Sequence, residues 1–229
     1  MKSGTCRRPH RLTAGLFFLM SLIGLPVVSQ AATITADFNG DGINDTATVT
    51  TGTGAILIAR GGGGTTSYVV GANWLNIYAS ETNGVAGQEL VAAYANGSVS
   101  IVDDRARVKR SYTVPAVGSG RLDYFSDFNG IAGNEIAFVY NDGSVWVIDD
   151  RVYGRRSYTV PAAGSGRVLY LSEFNGIAGN EMAFVYNDGS IWVIDDRVYG
   201  RRFYTVPAVG GGRIVSLADL NGTVGTELA

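Results

Sequence analysis

A 46-residue unit recurs along this chain, and residues 129–174 match residues 175–220 at 35 of 46 positions. Repetition at that period marks a propeller, solenoid or array, because one such unit cannot bury both of its own faces and leans on its neighbours. Read from Glu135, one unit runs "EIAFVY", the turn "NDGS", "VWVID", the polar stretch "DRVYGRR", "SYTVP", a Gly-rich "AAGSG" and "RVLYLSEF". These are four strand-like runs rich in Val, Ile, Tyr, Phe and Trp, with no segment long enough for a helix. Four short strands in about 46 residues predict one blade of an all-β β-propeller. A β-solenoid is the competing architecture, but Asn141-Asp142-Gly143, Asn187-Asp188-Gly189 and Asn96-Gly97 are tight-turn signals that favour antiparallel meanders. Near-continuous apolar runs such as "AFVY" and "VWVI" suit strands covered on both faces by adjacent blades. Trp146, Trp192, Tyr140 and Tyr186 therefore read as packing residues before they read as ligand platforms.

Four full repeats occupy about 37–82, 83–128, 129–174 and 175–220, the first being two residues shorter. A strand-like "ATITAD" precedes them and a partial repeat, 221–229, follows. On this phasing the leading strand awaits partners from the C-terminal end, and the ring is incomplete. Open strand edges and an uncovered blade face predict self-association.

Residues 1–31 read as a secretory signal: Lys2, Arg7, Arg8 and Arg11 form a basic start, Leu16 to Val28 an apolar core, and Ser29 and Ala31 the small residues before a cut. The expected mature chain, 32–229, is exported, to the periplasm or the medium. Arg7-Arg8 is a poor twin-arginine signal, since Pro9, His10 and Arg11 follow it. No later apolar run reaches the roughly 18 residues of a membrane span.

Cleavage would remove the chain's one Cys (Cys6) and one His (His10). The mature chain then has no Ser-His-Asp triad, Cys nucleophile, thiolate or imidazole zinc site, or disulfide. It would also lose four of 18 basic residues and none of the 20 acidic ones, taking formal charge from -2 to -6. With Lys109 as its remaining lysine, the chain is a poor phosphate-backbone binder.

Chemistry concentrates in one loop, "DFNGDGIND" at 37–45, where Asp37, Asn39, Asp41 and Asp45 stand at positions 1, 3, 5 and 9. The Ile43 carbonyl is free for position 7, and Gly40 and Gly42 ease the curl. Hard cations want several oxygens from one tightly curled segment, so this spacing predicts one calcium site. A helical EF-hand would need Glu where Thr48 stands, and "TATVTT" is strand-like, so the loop sits in a β context. The alternative is a metal-free turn.

With these loops and blades the chain resembles the FG-GAP/VCBS repeat family, whose blades are joined by D-x-[DN]-x-D-G-x-x-D loops in integrin-like propellers. The repeat pattern covers the mature chain, while the complete motif matches only at 37–45. The resemblance implies an extracellular interaction module with structural calcium at Asp37, Asn39, Asp41 and Asp45, and names no partner. The later loops depart from the motif, with Val85, Ile131, Ile177 and Thr223 at the central ligand position, and read as turns held by hydrogen bonds.

A second repeated element, "DDRxxxxRSY", lies at 103–112 and 149–158, with "DDRVYGRRFY" at 195–204. Its Asp149, Asp150, Arg151, Tyr153, Arg155 and Arg156 should share a rim with the loop ending at Glu135. One expectation is that Arg105, Arg151 and Arg197 bond carboxylates of the degenerate loops and supply the charge calcium would bring; the other is a solvated hairpin. A glycosidase built on the Asp pairs is the weakest reading, because catalysis needs one unique cleft and the pair is copied. Near-identical copies also record recent duplication, and the more divergent unit at 83–128 keeps the turns and blade residues but has Ser100 and Arg107 in place of Trp and Tyr. The favoured function is a secreted, non-catalytic scaffold for a protein or glycan, with a multivalent lectin as the alternative.

Overall fold

The computed structural model describes residues 31–118, 120–164, 166–208, 217–218 and 225–228. The predicted signal, apart from Ala31, and Thr223 lie outside them, as does much of the partial repeat. The described chain forms four antiparallel four-stranded sheets, each a simple meander. Blade 1 contains β1 (Ala31–Ala36), β2 (Asp45–Thr50), β3 (Ala55–Ala59) and β4 (Thr65–Val69). Blade 2 contains β5 (Trp74–Ser80), β6 (Glu89–Tyr94), β7 (Ser98–Asp103) and β8 (Val108–Thr113). Blade 3 contains β9 (Arg121–Ser126), β10 (Glu135–Tyr140), β11 (Ser144–Asp149) and β12 (Gly154–Thr159). Blade 4 contains β13 (Val168–Ser172), β14 (Glu181–Val185), β15 (Ser190–Asp195) and β16 (Gly200–Thr205). A fifth unit begins with β17 (Leu217–Ala218) paired to β18 (Glu227–Leu228). The fold is a β-propeller, as the repeat predicts. Among the described residues no helix is long and apolar enough to cross a membrane.

The sequence repeat and the blade are out of phase. The nine-residue loop curls so tightly that Ala36 pairs with Asp45, Ser126 with Glu135 and Ser172 with Glu181, which makes it a hairpin inside one sheet rather than a link between blades. The leading strand does not await C-terminal partners: it is β1, and it pairs with β2 from Ala31↔Thr50 to Ala36↔Asp45.

Alternating side chains send each second strand's residues to opposite blade interfaces. Ile136, Phe138 and Tyr140 of β10 pack back onto Val91, Ala93, Val99 and Ile101 of blade 2. Ala137 and Val139 pack forward with Met182 and Phe184 of blade 4. The same division joins blade 1 to blade 2 through Ala47, Val49, Leu90 and Ala92. Each buried Phe or Ile in these layers contributes about 1.5–3 kcal/mol by leaving water. Trp146 and Trp192 are half-buried members of these interfaces, in accord with a packing role. Tyr140 and Tyr186 donate across the junction to the Pro115 and Pro161 carbonyls, each at 2.6 Å.

Candidate functional site

One rim carries the nine-residue loops and the turns joining third to fourth strands. The last acidic residue of each loop closes it. Asp45, Glu89, Glu135 and Glu181 accept the backbone N–H of Phe38, Thr82, Phe128 and Phe174 at 2.6–3.0 Å. In loops 2 to 4 the other carboxylate oxygen takes the Nδ2–H of Asn83, Asn129 or Asn175. The same amide also donates to Asp103, Asp149 or Asp195, tying the loop to the third strand at 3.1 Å. Burial pushes Glu89 up to about 7 and Glu135 up to about 8, outweighing the amide bonds that pull the other way. Glu181 is raised for the same reason.

Neighbouring loops stack by close backbone approach. The N–H of Gln88, Asn134, Asn180 and Thr226 donates to the first carbonyl of the preceding loop, at Asp37, Glu81, Asp127 and Glu173. At Gly130, where φ is +75°, a Cβ would stand 2.0 Å from the Ala178 carbonyl oxygen, so glycine is required by contact and by backbone conformation alike.

The residue directly after the third strand forms a latch between blades. Asp104 accepts from Arg60 Nε at 2.9 Å and Tyr68 Oη at 2.7 Å. Asp150 accepts from Arg110 at 2.6 Å and Tyr112 at 2.5 Å, and Asp196 from Arg156 and from Tyr158 at 2.5 Å. All three aspartates are buried and the donors come from the preceding blade. Sequence reading placed Asp150 and Arg156 on the rim and missed the pairing; for the second and third latches the signal was the Arg-x-Tyr spacing, which sets both side chains on one strand face.

Of Arg105, Arg151 and Arg197, expected to bond carboxylates of the degenerate loops, Arg151 does so among the described residues, through a long ion pair, and the other two take different partners. Arg105 donates to the Ala86 carbonyl at 3.1 Å, and Arg151 to the Ile131 and Ala132 carbonyls at 3.0 and 3.3 Å. Arg151 reaches the Glu135 carboxylate only at 3.9 Å, and Arg197 pairs with Asp195 of its own turn at 3.3 Å. The loop carboxylates are already occupied by backbone and Asn donors, so Arg105 and Arg151 turn to loop carbonyls, and Arg151 and Arg197 pair with the aspartate two residues before them, Asp149 at 3.0 Å and Asp195 at 3.3 Å.

In loop 37–45 the oxygens face the loop's own amides. Asp37 accepts from Gly40, Asp41 and Gly42; Asn39 Oδ1 from Asp41; Asp41 Oδ1 from Ile43. Asp45 is buried, with its oxygens on Phe38 and Gly61. Ile43 is half exposed. The donor set is all oxygen, the kind a hard cation takes. Among the described residues no three acidic, His or Cys side chains gather as a ready metal cluster.

The outward surface of the rim repeats an apolar and aromatic display. Val85, Ile131 and Ile177 are exposed on the loops; Tyr153 and Tyr199 are 66% and 65% exposed on the turns. Both tyrosines sit in the left-handed region, at φ 54° and 53°, where a bulky side chain is strained. The guanidinium of Arg110 lies 4.8 Å from the Tyr153 ring centre, and that of Arg156 lies 4.2 Å from Tyr199. Between blades 2 and 3 a recess of about 410 Å³ opens among Asn83, Val85, Asp103, Arg105, Arg110 and Arg151.

No protein-family profile matches the chain. No curated protein matches it. Solved structures do. A lectin of Agrocybe aegerita, described as recognising non-reducing terminal N-acetylglucosamine, aligns with a TM-score of 0.53 and 14% identity over 88% of this chain and 60% of its own. BBS1N in complex with ARL6DN aligns at 0.47 and 11% identity, over 85% and 60%. Apo AztD of Citrobacter koseri aligns at 0.43 and 14%, over 72% and 45%. The chain thus spans less than two thirds of each of these proteins, and at such identities the likeness is one of fold.

Proposed function

We propose that this chain is an exported, non-catalytic interaction scaffold of FG-GAP/VCBS type whose loop rim binds a glycan or protein partner. The carrying observation is the strained, exposed pair Tyr153 and Tyr199, each beneath an arginine and repeated at successive blade junctions, with a polar-walled recess at the first of them that shares Arg110. An aromatic face with adjacent Arg, Asn and Asp is the chemistry that stacks on a sugar ring and bonds its hydroxyls. The Asp pairs support a non-catalytic reading: Asp104, Asp150 and Asp196 are buried and latched to Arg and Tyr in every copy. The fold likeness to a lectin favours glycan over protein as the first ligand class to try.

The test is a glycan array probed with the full chain. Binding should be multivalent, competed by the free sugar and lost in a Tyr153→Ala/Tyr199→Ala double variant. An array without signal, or binding that survives the variant, removes the glycan reading of this rim.

Calcium belongs to the same proposal. Asp37, Asn39, Asp41, the Ile43 carbonyl and Asp45 would hold it, and the ion would stiffen the first loop. Saturating calcium should raise the melting temperature, by about 2.7 kcal/mol of stabilisation at a hundredfold excess over Kd. Asp41→Ala should erase the rise. An unchanged melt would make the loop a turn closed by its own amides.

A further inference from the structure

The rim recess between blades 2 and 3 has more positive charge than its walls compensate. Arg105, Arg110 and Arg151 stand around it with two carboxylates, Asp103 and Asp150. Both carboxylates are buried and already spent. Asp150 accepts from Arg110 and Tyr112, and Asp103 accepts from the Asn83 side chain at 3.1 Å and the Ala106 N–H at 2.8 Å. Arg151 is matched by Asp149 at 3.0 Å. Arg105 is not matched: it donates to the Ala86 carbonyl at 3.1 Å, an uncharged acceptor, and among the described residues no carboxylate pairs with it. Arg110 is itself under-compensated, since its Nε–H is buried without an acceptor. The next junction along differs on both counts. Its turn arginines, Arg151 and Arg197, are held by Asp149 and Asp195. It also has Val152 and Ile131 where the recess between blades 2 and 3 has the smaller Ala106 and Val85.

The geometry points to this recess, of about 410 Å³, as the subsite for the carboxylate of an acidic sugar, a hexuronate unit; this rests on the glycan reading of the rim and narrows it to anionic saccharides. Arg105 supplies a planar fork that matches the two oxygens of a carboxylate, and the ion pair it forms has no competitor in the wall. Val85, 44% exposed, offers an apolar surface to the C–H face of the ring. Tyr153, whose ring lies 4.8 Å from the Arg110 guanidinium, offers its aromatic face to the adjoining sugar of the chain. One negative charge suits the site. A phosphate, with about two, meets Asp103 and Asp150 in the same walls and is repelled more strongly than a carboxylate.

The probe is an array of oligoglucuronate, oligogalacturonate and oligomannuronate, each present as the free acid and as its neutral methyl ester, followed by titration of the best acid against the full chain. At least one acid should bind at least about tenfold more tightly than its own ester. Arg105→Gln should bring that acid down to the level of the ester. Ala106→Val, which introduces only the residue that later turns already carry, should weaken the acid at least about fivefold by filling the recess. Inorganic phosphate at equal concentration should leave the binding unchanged. Equal binding of acid and ester, or acid binding that survives both variants, overturns the inference and leaves the wider glycan reading standing. Competition by phosphate overturns it as well, by showing a general anion site. Acids and esters that are all blank also overturn it, and neutral glycans with the tyrosine double variant then decide the wider reading separately.

Discussion

The backward face of blade 1 and the forward face of blade 4 use alternate positions of equivalent strands and differ in chemistry. On blade 1 the backward face carries Thr46, Thr48 and Thr50, with Leu57 and Val69 as its exposed apolar residues at 50% and 63%. On blade 4 the forward face repeats the residues of an interior junction, down to the latch donors Arg202 and Tyr204. Polar residues on a blade face discourage the addition of another blade, and the three threonines supply them, whereas blade 4 turns apolar residues toward the fifth unit. The lesson is that in a repeat stack the position of a side chain says little about whether it is a cap or a contact; the identity of three alternating residues on one strand decides it.

The sharpest break of this contrast is at a closed latch. Asp150→Ala would leave Arg110 with only its longer 3.8 Å pair to Asp103, and Tyr112 without its acceptor, at a cost of about 3–5 kcal/mol in denaturant unfolding. A loss under about 1 kcal/mol would show the latch to be ornamental. The next test sets equivalent tyrosines side by side. Tyr158→Phe removes a hydrogen bond to buried Asp196 and should cost about 1.5–3 kcal/mol, while Tyr204→Phe on the open face should stay within about 0.5 kcal/mol. Equal costs would mean that the open face is already filled.

Acid should strengthen the enclosed loops. Glu89 and Glu135 are raised by burial from about 4.5 to about 7 and about 8, so the native state holds their protons more tightly than the unfolded chain does. That contribution is complete below about pH 4.5 and is lost as pH rises through 7 and 8. Unfolding midpoints should therefore fall from pH 5.5 to pH 8.5, and Glu135→Gln should flatten the slope. A slope unchanged in that variant would place the effect elsewhere. Smallest in stability and plainest in association is Thr48→Phe, which gives blade 1 the residue blade 3 has at Phe138. Unfolding should move by no more than about 0.5 kcal/mol, and sedimentation should show concentration-dependent assembly stronger than that of the parent chain.

Much of the architecture was legible because the signals are local: Asn-Gly and Asp-Gly turns, β-branched runs and a fixed period. Blade phase was not. A loop of nine residues can return to the same sheet or step to the next, and only the pairing of Ala36 with Asp45 distinguishes them. The rim was legible as a place, since Asp149 and Arg151 do lie by the loop ending at Glu135. Its wiring was not, because the Tyr112 to Asp150 bond spans 38 residues and belongs to no motif. The first latch was least readable of all: Thr66 stands where later blades have Arg, and Arg60 reaches Asp104 from a different strand end.

The latch always runs one way, donors on the earlier blade and acceptor on the later. A unit of this kind therefore arrives with a plug at one side and a socket at the other. Tandem copying of such a gene segment inserts a module that finds both matches in place, without any compensating substitution. Near-identity of the last two full repeats is the trace such copying leaves, and a plug and socket on every unit let blade number change without redesign of any junction.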